Sequence, residues 1–143
     1  MNGAPPFAPQ QLDHLVLRVI DLERSIAFYR DVLGCTLVRW RDELGLVHLR
    51  AGTTLIDLIA VDGELGRPGG APAAATGRNL EHFCLRIEPF DADLIRSHLR
   101  NHGIAMHGDV EDRFGAEDYG PSLYIEDPDG NVVELKGVRA AQI

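Results

Sequence analysis

Two histidines stand in copies of one short pattern. His14 lies in LDHLVLRV, residues 12–19, and His82 in LEHFCLRI, residues 80–87. Each copy reads leucine, carboxylate, histidine, two apolar residues, leucine, arginine and a branched aliphatic. Further along, each repeat closes on an apolar run broken by one acid: Asp57 in LIDL and Glu134 in VVEL. Imidazole nitrogens and carboxylate oxygens bind borderline divalent cations and carry protons in acid–base catalysis. Arg18 and Arg86 follow the two histidines at equal spacing, as salt-bridge partners of acidic neighbours or as anchors for an anionic substrate.

These groups need elements to position them. Leu15, Leu17 and Val19 alternate with His14, Val16 and Arg18, a period of two that predicts a strand with an aliphatic face and a polar face. Asp21 is a plausible N-cap, and Leu22, Ile26, Tyr29 and Leu33 recur at helical spacing up to Gly34, the expected stop. CTLVRW, GLVHLRAG and TTLIDLIAV read as three strands. The Gly-, Pro- and Ala-rich residues 62–78 read as a linker. The order then repeats: a strand with His82 and Arg86 on one face, a helix over residues 91–101 stopped at Gly103, a short strand and loop within residues 104–120, and strands in PSLYIED and NVVELKG around a DPDG turn. Cys84 is placed on the face opposite His82, as core packing. His48, without a counterpart in the second repeat, and His98, His102 and His107 read as structural or surface residues. A repeat this small cannot bury its own apolar face, so the two must pack together.

The chain has 143 residues and a formal net charge of −8. That length suits one domain or two half-size units sharing a core. The acidic balance argues against nucleic acid as a partner. No apolar run approaches the roughly 20 residues that span a bilayer, so no membrane partner is expected. Cys35 and Cys84 form no CxxC pair and read as free thiols in a reducing compartment, which suits a cytoplasmic protein. Residues 1–11 are expected to be a disordered tail, 12–61 a first module, 79–137 a second, and 138–143 a second tail.

The segments DHLVLRVIDLERSIAFYRDVLG, EHFCLRI and SLYIEDPDGNVVELKG resemble the vicinal oxygen chelate superfamily, and the resemblance covers residues 12–137. That group includes glyoxalase I, fosfomycin-resistance thiol transferases, extradiol dioxygenases and bleomycin-binding proteins. It implies an α+β fold of two tandem βαβββ modules whose curved mixed sheets cup a divalent metal in a cleft. Ligands in metal-using members sit on the first and last strands of the modules, which by position are His14, His82 and Glu134. Asp57 matches the fourth site, where glyoxalase I has Glu. Asp is one methylene shorter, which leaves open direct ligation, ligation through water, or none. Zn, Ni, Co, Fe and Mn all suit such a set. Arg78 stands where some glyoxalase I enzymes hold a glutathione carboxylate, although Val61 replaces a polar residue common in that pocket. Arg18, Arg78 and Arg86 are the candidate substrate-binding residues. LYIEDPDGNVVE, with Tyr124, is similar to an extradiol dioxygenase segment, but Gly115, Ala116 and Glu117 fill the stretch where those enzymes carry a histidine.

The implied activity is a metal-dependent, glyoxalase-I-like lyase acting on the thiohemiacetal of a thiol, such as glutathione, and a 2-oxoaldehyde. The metal acts as Lewis acid on two neighbouring substrate oxygens. Glu134 is the expected base, and Asp57 a weaker partner returning the proton. Alternatives are an extradiol dioxygenase or thiol transferase of the same group, and a metal-free drug-binding protein. The resemblance also implies a homodimer with sites open to construction across subunits. Extended, the linker would reach on the order of 50 Å, permitting pairing within or between chains.

Overall fold

The two alternating segments become the leading strands of two sheets. In the computed structural model, which describes residues 3–139, β1 spans His14–Val19, β2 Thr36–Arg41, β3 Leu46–Ala51 and β4 Thr54–Ala60. The second set is β5 Phe83–Arg86, β6 Glu111–Gly115, β7 Asp118–Glu126 and β8 Val132–Lys136. Each set forms one sheet, in the orders β1-β4-β3-β2 and β5-β8-β7-β6. The leading strand pairs parallel to the last, and the remaining pairs are antiparallel. This is the expected βαβββ order twice over, within the α+β class. The outer parts of the expected tails, residues 1–2 and 140–143, lie outside the described residues. Residues 3–13 run without helix or strand.

Helix α1, Leu22–Ala27, begins where Asp21 accepts a bond from the Arg24 amide, and the turn beyond it closes at Gly34 with φ 78°. Between them, Phe28–Val32 is π-helical rather than α-helical, with the Leu33 amide bonded to the Phe28 carbonyl at 3.1 Å. The extra residue in that turn is invisible to a spacing argument. Helix α2, Ala92–Asn101, is capped by Asp91. No helix among the described residues is long and apolar enough to cross a membrane.

Strand β5 is shorter than its counterpart, because only residues 83–86 find register partners on β8. His82 therefore sits just before the strand. The stretch expected to be a strand and a loop forms a hairpin instead, with β7 starting at Asp118, whose φ is 72°.

One buried cluster joins the modules. Leu17, Val19, Leu49, Ile56 and Leu58 of the first sheet share it with Leu123, Ile125, Val133 and Leu135 of the second. Each such side chain stabilises the fold by about 1.5–3 kcal/mol relative to exposure. A buried polar contact fixes their alignment: Tyr29 Oη donates to Asp127 Oδ2 at 2.7 Å. Burial first, and then Asp127, hold that hydroxyl well above the usual tyrosine range. Asp127 is also the first residue of the DPDG turn, which closes with the Gly130 amide on its carbonyl at 3.0 Å.

The start of the linker is packed. Arg18 donates to the carbonyls of Gly66 at 3.0 Å, Ala71 at 3.1 Å and Gly70 at 2.5 Å. Gly66 has no room for a side chain, since a Cβ there would lie 1.8 Å from the Ala60 carbonyl oxygen.

Candidate functional site

Register places the two carboxylates in equivalent frames. Asp57 pairs with Val16 on β1 and with His48 on β3. Glu134 pairs with Cys84 on β5 and with Tyr124 on β7. Cross-strand partners point to the same face, so each acid stands on the face turned away from the core, beside its module's histidine. Both acids are nevertheless buried, Asp57 at 5% exposure and Glu134 at 6%.

In the first module His14 Nδ1 lies 2.7 Å from Asp13 Oδ1. That hydrogen bond raises the imidazole above its ordinary value, with a smaller contribution from Asp57. Asp57 itself is engaged: His48 Nδ1 donates to its Oδ1 at 2.7 Å. In the second module His82 Nδ1 lies 2.5 Å from Glu81 Oε2, and its Nε2 lies 3.1 Å from Glu134 Oε1. Glu81 is the main cause of a raised His82. Ser122 Oγ donates to Glu134 Oε2 at 2.7 Å. Burial alone would raise Glu134, but hydrogen bonds from Ser122 and Tyr124, with His82 beside it, leave the carboxyl below its usual range. The Tyr124 ring stands edge-on to His82, centroids 5.4 Å apart.

The carboxylate preceding each histidine thus has a defined task. A metal-binding histidine characteristically gives its other ring nitrogen to a carboxylate, which fixes the tautomer and the ring orientation. Asp13 and Glu81 occupy Nδ1 and leave Nε2 for a ligand. The 3.1 Å between His82 Nε2 and Glu134 Oε1 is the spacing of neighbouring donors each about 2.1 Å from one ion. The His82–Glu134 half therefore fits a divalent metal. Within one chain, however, the histidine–carboxylate pairs of the two modules do not converge: among the described residues no group of three His, Cys, Asp or Glu side chains is placed to hold a metal.

Two sequence expectations need correction, on Cys84 and His48. Cys84 does not pack in the core: it is exposed, on the same face as His82, paired in register with Glu134. Residues 82 and 84 share parity, so alternation itself gave that answer. Partial desolvation and the adjacent Glu134 push its thiol up to about 12. His48 does have a counterpart, Tyr124, and it reaches Asp57, so it belongs to the site face. The arginines are all occupied by protein groups: Arg18 on the linker, Arg78 Nη2 on the Asp129 carbonyl at 2.8 Å, and Arg86 with Glu117 at 2.5 Å and Glu88 at 3.2 Å. His98 donates to the Val32 carbonyl, and His107 lies 3.6 Å from Glu126, both away from the two pairs. Ser122, the shortest contact to Glu134, was not anticipated, because the contact depends on the register of β7 against β8.

The family model described as Glyoxalase/Bleomycin resistance protein/Dioxygenase superfamily matches residues 11–135. Glyoxalase domain-containing protein RDO1 of Mycosarcoma maydis is 31% identical over 135 residues, 93% of this chain and 71% of that protein. A lactoylglutathione lyase of Salmonella typhimurium is 30% identical over 131 residues, 87% of this chain and 90% of that one. The crystal structure of virulence protein STM3117 from Salmonella typhimurium superposes with a TM-score of 0.73 at 28% identity, covering 93% of this chain and all of that one.

Proposed function

Because the chain belongs to the Glyoxalase/Bleomycin resistance protein/Dioxygenase superfamily, we propose that it is a divalent-metal-dependent lyase of glyoxalase I type. Its substrate would be a thiohemiacetal, or a similar small molecule with oxygens on neighbouring carbons. The observation that carries this reading is the Glu81–His82–Glu134 chain of contacts, in which an oriented imidazole and a buried, ionised carboxylate stand one ligand spacing apart. The similarity to a lactoylglutathione lyase over most of both chains supports it.

His82, Glu134 and His14 would hold the ion, with Asp57 the weakest donor because His48 takes one of its oxygens. When bound, the ion would supply Lewis acidity toward the two substrate oxygens. The protein groups perform the proton transfers. Glu134, kept ionised by Ser122 and Tyr124, accepts the proton from the carbon bearing the thiol. Glu134 then gives that proton back to the neighbouring carbon, directly or relayed through Asp57 as the weaker second carboxylate, and both acids end ionised as they began. Net atoms and charge are unchanged, as an isomerisation requires.

Each module contributes one histidine and one carboxylate, and β1 and β5 are both sheet edges. We propose that a homodimer joins His14 and Asp57 of one protomer to His82 and Glu134 of its partner, since unpaired edges favour such association. Mixing His14→Ala with Glu134→Ala chains tests this. Shared sites give mixed dimers with one intact site, so metal binding partly returns after subunit exchange. Sites within one chain restore nothing, and a monomer in light scattering ends the idea at once. Elemental analysis of the wild type and of His82→Ala tests the metal assignment. Tyr124 beside His82 favours a ring-cleaving dioxygenase as second reading, and stoichiometric iron would move the conclusion there.

A further inference from the structure

The second module carries a buried cation with no counter-ion among the described residues. Lys136 is 7% exposed, two residues after Glu134 and on the same face. Its ammonium donates to the Asp118 carbonyl at 2.9 Å and the Gly137 carbonyl at 3.3 Å. No carboxylate among the described residues lies within ion-pair distance of it. Arg86, its register partner, has its charge met by Glu117 and Glu88. An ammonium has three donors, and two carbonyls leave one unused. A buried charge without a partner is costly.

The fold makes room for this group. A Cβ at Gly115 would lie 2.9 Å from Lys136 Cε, and one at Gly120 would lie 3.0 Å from Nζ. The equivalent position in the first module is Ile59, paired with Arg18 as Lys136 is with Arg86, so the frame itself does not require a cation. Lys136 also lines a cleft of about 310 Å³ whose other end is formed by His82, Cys84 and Glu134. That is the size of a small-molecule site.

We infer that this cleft takes a small organic carboxylate, received by the free donor of Lys136, while the other end of the molecule faces His82 and Glu134. The substrate class would be a short oxo or hydroxy acid. The Cα atoms of Glu134 and Lys136 stand two strand residues apart, about 7 Å, a scale that suits a molecule of three or four carbons. A single ammonium donor suits a carboxylate better than a phosphate, which draws on several donors. The inference rests on the preceding reading for which end reacts, but its test does not depend on metal.

The experiment is calorimetric titration of the full chain, treated with EDTA, with 4-hydroxybutyrate and with its uncharged analogue 4-hydroxybutyramide, which leave a hydroxyl and not a second carboxylate facing Glu134. Wild type should bind 4-hydroxybutyrate at least about tenfold more tightly than the amide, and Lys136→Met, which keeps the buried stem, should erase the difference. Equal binding of the two compounds by wild type overturns the inference without any variant. Unchanged 4-hydroxybutyrate binding in a folded Lys136→Met protein overturns it as well. If elemental analysis finds no metal but the preference for the acid and its loss are seen, the reading of the reacting end fails while the anion site stands.

Discussion

The two modules share one backbone frame and fill it differently. Around Glu134 the second module places Cys84, Tyr124 and Ser122, and one row further Arg86 and Lys136. At the matching positions around Asp57 the first module has Val16, His48 and Leu46, then Arg18 and Ile59. One copy surrounds its acid with hydroxyls and charge. The other surrounds it with aliphatic groups and a single imidazole, and turns its arginine to the linker. The two copies share geometry, and the differences lie in the groups set around each acid.

That asymmetry can be broken by measurement. Glu134→Ala is expected to have the largest effect, a loss of metal affinity of about 100-fold or more, since it removes the proposed ligand whose partners are already ordered around it. Asp57→Ala should cost clearly less, on the order of tenfold. Calorimetry with the same ion on both variants decides, and a larger loss at Asp57 would reverse the assignment of roles.

Ser122→Ala comes next. It leaves one Glu134 oxygen without its buried donor, and a change to such a supporting group typically costs roughly 10-fold in metal affinity. The change should also raise the Glu134 titration, because a hydrogen bond that favours the ionised form is gone. An unshifted carboxyl signal by NMR would show that Tyr124 and His82 suffice.

The smallest effect concerns pH. Asp13 and Glu81 raise His14 and His82, so protons compete with a metal up to a higher pH than an ordinary imidazole allows. Metal affinity should fall as pH drops through that raised range. In metal-free protein the sign is opposite: the stabilisation from these pairs is complete below the unfolded imidazole value and is lost as pH rises through the folded one. Asp13→Asn and Glu81→Gln should each move the imidazole titration downward by a similar amount. Unequal shifts would extend the asymmetry between the modules to their histidines.

Much of this was legible in the residues. Period-two alternation marked the leading strands, helical spacing and Gly34 marked the first helix, and the DPDG turn formed as its composition demands. The repeat made two modules and their shared core readable as well. The contact between His48 and Asp57 was not, because it depends on the register of β3 against β4 across a turn at Gly52. Ser122 at Glu134 was hidden for the same reason. Cys84 was readable and misassigned, through an error of parity rather than a lack of signal. The failure of the two histidine–carboxylate pairs to meet within one chain lies beyond any local pattern, since it is a property of how whole sheets pack.

The grip of Arg18 on Gly66, Gly70 and Ala71 also governs how the polypeptide can be cut. A protease needs an extended, accessible stretch of backbone, and the first half of the connector is tied to β1 of its own module. The vulnerable bonds are those in residues 72–78, which are largely exposed and carry no helix or strand. Nicking there would leave two fragments still joined through the Tyr29–Asp127 bond and the common core. Arg18→Ala would release the upstream carbonyls and spread cleavage back toward Gly66.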